Sequence, residues 1–110
     1  MKKNYLVITG GAGFVGTNLI KKLIKFKKYE IISIDDYSSG SIKNHIKHKK
    51  VRYIKNDTKN IEKVLNNIKN KILTIFHFGE FSRIYQSFLK YNQCLNSNTI
   101  GSNEVFKFCL

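Results

Sequence analysis

Apolar residues gather in four short runs, and the segments between them carry apolar residues at helical spacing. Tyr5-Leu6-Val7-Ile8 and Ile31-Ile32-Ser33-Ile34 run with little alternation, as strands covered on both faces do. Val51-Arg52-Tyr53-Ile54-Lys55 alternates and predicts a third strand, ended by Asn56-Asp57-Thr58. Ile72 to Phe78 predicts a fourth. After the first strand, Val15, Leu19, Leu23 and Phe26, widened by Ile20 and Ile24, mark the buried face of a helix from Phe14 to about Phe26. Ile61, Val64, Leu65 and Ile68 mark a shorter helix before the fourth strand. A loop or short helix then passes Ser82, Arg83 and Phe88, and a last helix starts near Lys90. Its stripe is Tyr91, Leu95, Asn98, Ser102, Val105, Phe106 and Cys109. The polar members Asn98 and Ser102 must meet hydrogen-bond partners inward, either backbone or a ligand.

Strands alternating with helices predict an α/β fold with a parallel sheet and right-handed crossovers. The expected strand order is 3-2-1-4. A ligand then lies across the C-terminal ends of strands one and four, beside the point where the order reverses. Strand four stands at an open edge, which invites aggregation.

Between the first strand and the first helix lies Thr9-Gly10-Gly11-Ala12-Gly13-Phe14-Val15-Gly16. A strand, a glycine turn and a helix in that order leave bare backbone amides at a helix N-terminus. Those amides and the positive end of the helix dipole attract phosphate. Gly10, Gly13 and Gly16 sit three apart. Their tasks are a tight turn, the close approach of a pyrophosphate and the close packing of helix on strand. About 20 residues further on, the second strand ends in Asp35, where an acid can hydrogen-bond a ribose. The plainer reading is a connecting turn with Asp35 as a turn or cap residue.

Asp35-Asp36-Tyr37-Ser38-Ser39-Gly40 is a polar, turn-rich loop. Ser41 to Lys50 is basic and holds His45 and His48. Two histidines at that spacing can share a metal, but no third ligand accompanies them, and a solvent-exposed basic loop is expected instead.

The 110 residues suit one domain or part of one. Twenty Lys and Arg against seven Asp and Glu give a net charge of +13. Such a charge raises the question of a nucleic-acid partner. The lysines, however, spread over helix faces and loops and do not interleave with exposed aromatics, so no nucleic-acid partner is expected. The positive field would still draw in anionic nucleotides at low salt. No apolar run is long enough to span a membrane. Met1-Lys2-Lys3-Asn4 leads straight into the first strand without a signal-peptide pattern, so a cytoplasmic protein with no membrane partner is expected. Cys94 and Cys109 lack metal spacing and are expected as reduced thiols packed in the interior.

Five motifs in register, spread over essentially the whole chain, resemble the extended short-chain dehydrogenase/reductase family. They are the glycine run 9–16, Asp35 to Gly40, Asp57, His77-Phe78-Gly79-Glu80 and Asn98-Thr99-Ile100-Gly101-Ser102. Within that family the chain resembles the NAD-dependent epimerases and dehydratases of nucleotide sugars. Gly79-Glu80-Phe81-Ser82-Arg83 departs from the commoner small-residue pair and looks like nucleotide-hexose 4-epimerases. The resemblance implies a Rossmann-type sheet with helices on both faces, here the N-terminal, NAD-binding portion over residues 1–110.

The resemblance also implies roles. Gly10, Gly13 and Gly16 would form the pyrophosphate turn, with Phe14 and Val15 offering amides. Asp35, followed by Asp36, would hold the adenosine ribose, and Ser38, Ser39 and Gly40 would line that end. Asp57 and Thr58 would face the adenine. Phe78, Gly79, Glu80 and Ser82 would border the nicotinamide side, and Asn98 would brace the loop above. NAD is expected over NADP, because Asp35 beside a 2′-phosphate would cost on the order of 4 kcal/mol at ~4 Å in an intermediate dielectric, and no arginine stands directly after it to offset that.

The family's chemistry uses a Tyr-x-x-x-Lys pair, the tyrosine as base and the lysine lowering its pKa. No tyrosine here is followed four residues later by lysine. The chain is therefore expected to be a fragment or a shortened product that lacks the substrate-binding, catalytic second half, with a nucleotide-sugar substrate and a possible homodimer belonging to the full-length enzyme. Two readings stand: part of an epimerase or dehydratase, or a truncated module that holds NAD without catalysis of its own.

Overall fold

The computed structural model describes residues 4–26, 28–79 and 100–110. The helix start near Lys90, Tyr91, Leu95 and the segment through Arg83 and Phe88 lie outside the described residues. So do Glu80, Ser82, Cys94 and Asn98.

Four strands form one sheet: β1 (Asn4–Thr9), β2 (Tyr29–Asp35), β3 (Val51–Lys55) and β4 (Ile72–His77). Their order is β3-β2-β1-β4 and every pairing is parallel. This is the order the alternating pattern predicts. Thr9 of β1 lies opposite Ile34 of β2 and His77 of β4, so three strands end level at one edge of the sheet. Among the described residues β4 pairs only with β1, and Leu73 on it is exposed.

The helices are α1 (Phe14–Leu23), α2 (Ile61–Leu65) and α3 (Ser102–Cys109), with 3₁₀ turns at Ile42–Asn44, Thr58–Asn60 and Asn66–Lys71. Side chains alternate across the central strands and build a core on each face. Val7, Ile32 and Ile34 pack with Ile61 and Leu65 of α2 and Val105 and Phe108 of α3. Ile8 and Ile31 pack with Ile20 of α1, flanked by Leu19, Leu23 and Ile24. The sheet is therefore covered on both faces, which accounts for its non-alternating strands.

Three details of the helices depart from the pattern. The first helix ends at Leu23, not near Phe26, and Phe26 is 58% exposed. Val15 is 55% exposed, because the face turned to the sheet in the first turn is Gly16 and Thr17. In α3 the buried residues are Ser102, Val105 and Phe108, whereas Phe106 is 64% exposed and Cys109 lies at the surface. A 3.6-residue period lets either flank of Val105 face inward. Phe108 takes the inner place beside Ile61 and Leu65, and Lys69 Nζ sits 4.9 Å from its ring centre. The interior packing expected of Cys109 is thus not its environment.

Candidate functional site

The glycine turn begins at Gly10, whose φ of +74° is the left-handed backbone that favours glycine. Its amide donates to the Ile34 carbonyl at 2.7 Å, tying the turn to β2. A Cβ there would lie 2.7 Å from the Phe78 carbonyl oxygen. A Cβ at Gly16 would overlap the carbonyl of Gly10 and the Cα of Gly11, so this glycine lets α1 seat on the turn. A Cβ at Gly13 would meet nothing closer than the Gly10 oxygen at 3.4 Å. The three tasks divide accordingly: Gly10 turns, Gly16 packs and Gly13 presents open backbone. Gly11, given no task by the spacing, lies against Ser33 of β2, where an added Cβ would overlap the serine hydroxyl.

Gly13 is the N-cap of α1 and no side chain caps it. The amides of Phe14, Val15 and Gly16 have no acceptor within the helix, since an α-helix leaves its first donors unpaired. They open onto a cleft of about 370 Å³ at the C-terminal edge of the sheet. No acidic residue occupies that first turn, and among the described residues the cleft lining contains no lysine or arginine.

Asp35 ends β2 and is 7% exposed. Its Oδ2 accepts the Ala12 amide at 3.0 Å and its Oδ1 accepts the Tyr37 amide at 2.8 Å. Each carboxylate oxygen has a second acceptor site left over. The loop after it folds back onto the glycine turn: the Ala12 carbonyl accepts from the Ser41 amide at 3.1 Å and from Asn44 Nδ2 at 2.8 Å. Asp36 Oδ1 accepts the amide and hydroxyl of Ser38. Asp36, Ser38, Ser39 and Gly40 form the outer wall of the cleft.

The basic loop is not the simple exposed loop its composition predicts. His45 is half-buried and stacks on Tyr53 with ring centres 3.8 Å apart. Tyr37, at φ 63°, brings its hydroxyl 2.6 Å from His45 Nε2. Burial first, then the Asp35 charge and Tyr53, raises the Tyr37 pKa above the ordinary tyrosine value. Burial likewise raises Tyr53, opposed by the hydrogen bond from the Ile46 amide. His48 is exposed and accepts the Lys50 amide. Among the described residues no three His, Cys, Asp or Glu side chains cluster as a metal site.

Beyond Asp35 the cleft meets Asn56 and the buried Thr58. Asp57, the residue expected to face the base, is absent from the lining, and its Oδ1 instead accepts the Lys59 amide at 3.1 Å. The competing demand is local: Asp57 is the N-cap of the 3₁₀ turn. On the other side, His77, Phe78 and Gly79 close the cleft. The Gly79 amide donates to Thr9 Oγ1 at 2.9 Å, Thr9 Oγ1 lies 2.6 Å from His77 Nδ1, and His77 Nε2 lies 2.9 Å from Ser102 Oγ. Ser102 thus has a histidine ring among its partners. Ile34, Asn56 and His77 line the cleft without having been singled out as binding residues. The position of Asn56 directly after the third strand is the signal that points to it.

A parallel 3-2-1-4 sheet with helices on both faces and a glycine turn at a helix N-terminus is a Rossmann-type fold. Residues 6–110 match the family model of the NAD dependent epimerase/dehydratase family, and the chain belongs to that family. An epimerase of Methanothermobacter thermautotrophicus superposes with a TM-score of 0.84 at 25% identity, over 97% of this chain and 32% of its own. The UDP-N-acetylglucosamine 4-epimerase of Methanobrevibacter ruminantium, solved with UDP-N-acetylmuramic acid, gives 0.80 at 29% identity over 99% and 34%. UDP-glucuronic acid decarboxylase 6 of Arabidopsis thaliana is 46% identical over 39 residues, 36% of this chain and 11% of that protein. The chain thus spans about a third of the length of the solved structures it matches.

Proposed function

We propose that this chain is the NAD-binding portion of a nucleotide-sugar 4-epimerase or dehydratase. The observation that carries the reading is the pairing of an uncapped helix N-terminus, open at Gly13, with a buried carboxylate at the end of the next strand. The amides of Phe14, Val15 and Gly16 would hold the pyrophosphate, and Gly13 would let it approach. The remaining acceptor sites of Asp35 would take the hydroxyls of the adenosine ribose. Ser38, Ser39 and Gly40 would line that ribose, and Phe78 and Gly79, continuing toward Glu80, Ser82 and Asn98, would border the nicotinamide half. Asp35, already accepting two amides and with no lysine or arginine in the cleft lining among the described residues, disfavours a 2′-phosphate, which supports NAD over NADP.

Bound NAD would accept a hydride from the carbon bearing a sugar hydroxyl and later return it. The residues of this chain would bind and orient the cofactor for that exchange. The missing Tyr-x-x-x-Lys pair favours a second reading for these 110 residues taken alone, a module that holds NAD without turnover. Calorimetric titration with NAD and NADP, alongside turnover assays with UDP-sugars, tests both. NAD binding in the micromolar range, with NADP weaker, is the expected result. Absence of NAD binding removes the proposal, and turnover by the 110 residues removes the second reading.

A further inference from the structure

At the N-terminal end of the sheet, opposite the cleft, we infer a second binding site, one that takes a compact polyphosphate. A recess of about 340 Å³ lies there. Its lining includes Tyr5 of β1, Glu30 and Ile32 of β2, Lys49 and Lys50 just before β3, and Arg52 within β3. Glu30 and Asp35 stand five residues apart on β2, so about 16 Å separates the recess from the Asp35 end of the cleft. The site therefore stands or falls independently of the dinucleotide reading.

Strand register and a pinned turn bring these residues together. Tyr5 lies opposite Glu30 and Arg52 opposite Ile32, so the four side chains rise from one face of the sheet, the face that packs on α2 and α3. The turn before β3 is fixed on both sides. The Lys50 carbonyl accepts the Ile31 amide at 2.8 Å, the Lys50 amide donates to His48 Nδ1 at 3.1 Å, and the Val51 amide donates to the His48 carbonyl at 3.0 Å. Among the described residues the lining sets three cations against one carboxylate, and the side chains of Lys49 and Arg52 have no hydrogen-bond or ion-pair partner. The cleft at the other end has the opposite balance, with Asp35 and Asp36 and no lysine or arginine among its described residues. Ile31, Ile32 and Val51 complete the recess, and such apolar walls concentrate the field of the cations. Two unpaired cations call for a ligand with at least two negative charges. A diphosphate group supplies them, with several acceptor oxygens for an arginine fork and a lysine point charge. The cations gather at one recess and form no stripe, which favours a compact ligand over a nucleic-acid backbone.

The test is a titration of the 110-residue chain with sodium pyrophosphate, followed residue by residue through its backbone amide NMR signals at constant ionic strength. The amides of Lys49, Lys50, Val51 and Arg52 should shift together and saturate, with a Kd below about 1 mM at about 0.1 M salt. Pyrophosphate held at the N-terminus of α1 instead moves Phe14, Val15 and Gly16, so the two sites are read separately. Lys49→Gln with Arg52→Gln should weaken the shifts at 49–52 by at least about tenfold and leave those at 14–16 in place. Lys21→Gln with Lys22→Gln removes the same charge from the exposed end of α1 and should leave the recess affinity unchanged. Equal losses in the two double variants reduce the effect to net charge and overturn the site. Shifts at 49–52 that never saturate, or that are absent, overturn it as well. A short single-stranded RNA that moves the same amides at lower concentration than pyrophosphate overturns the choice of a compact ligand.

Discussion

The Tyr37 hydroxyl lies 2.6 Å from His45 Nε2, and through that contact the loop after β2 is held against the strand beside it. His45 stacks on Tyr53 of β3 at an interplanar angle of 9°. Tyr37 in turn donates its amide to Asp35 Oδ1, from a left-handed backbone at φ 63° that a bulky residue adopts only under constraint. One end of the tyrosine thus anchors to a stacked ring and the other orients the buried acid. Tyr37→Phe keeps the ring and removes the hydroxyl contact. We expect it to lower stability by about 0.5–1.5 kcal/mol in urea denaturation and to weaken NAD through a looser Asp35. An unchanged denaturation midpoint and affinity would show that the contact holds nothing.

The same cluster predicts a dependence on alkaline pH. Tyr37 and Tyr53 both titrate above the ordinary tyrosine value in the folded chain, burial being the largest cause for each. Below about pH 10 both are protonated in the folded and unfolded states alike, so they add no slope. Above it the unfolded chain ionises first, the folded chain holds more protons, and stability falls as pH rises. Melting temperatures followed from about pH 9 to pH 11 should decline, and the decline should be shallower in Tyr37→Phe. An identical slope in the variant would remove Tyr37 as its source.

Gly10 and Gly13 should separate folding from binding. At Gly10, alanine would combine a positive φ, costing about 1–2 kcal/mol, with a Cβ at 2.7 Å from the Phe78 oxygen. Gly10→Ala is expected to destabilise the chain. Gly13 has φ −84° and ψ −178°, which any residue adopts, and its Cβ position is open. Gly13→Val should change stability by no more than about 1 kcal/mol, yet reduce NAD affinity by at least about tenfold. Paired melting and titration curves check the contrast, and equal effects of the two variants on both readouts would contradict it.

What the sequence made legible was local. Uninterrupted apolar runs, three spaced glycines and an acid at a strand end are each complete within a few residues, and together they fixed the strand order and the site of Asp35. The contacts that escaped reading depend on how separate segments meet. His45 looked like part of a basic loop because Tyr37 and Tyr53 reach it only after the loop folds back. Asp57 and Asn56 differ by one position in a turn, where a cap decides which of them faces the cleft. The inner place of Phe108 over Phe106 and Cys109 was open because helical periodicity admits both flanks. Ser33 beneath Gly11 gave no signal at all, since nothing in either segment alone announces the contact.

Asp35 should govern the choice of cofactor. Its carboxylate is almost fully buried, and among the described residues no lysine or arginine lines the cleft, so a 2′-phosphate would meet a negative charge that none of them offsets. Asp35→Ala removes that charge and the acceptor sites for the ribose together. NAD should bind more weakly, and the preference for NAD over NADP should shrink. The variant also frees the Ala12 and Tyr37 amides, so a drop of about 1–3 kcal/mol in stability is expected beside the change in preference. An unchanged NAD to NADP ratio would detach Asp35 from the ribose.

Ser33 carries the clearest stability prediction. Its Oγ is fully buried in the middle of β2, against Gly11, with no hydrogen-bond partner among the described residues. A buried hydroxyl left without a partner costs about 1–3 kcal/mol. Ser33→Ala removes the orphan group and keeps the Cβ that supports the turn. The small gap left by one oxygen offsets part of the gain. The net expectation is a chain more stable by up to about 1 kcal/mol in denaturant titration, with NAD affinity unchanged because the residue lies beneath the turn and not in the cleft. A destabilised Ser33→Ala would mean that the hydroxyl has a partner in solution, and the glycine turn above it would then be held from below as well as from its two ends.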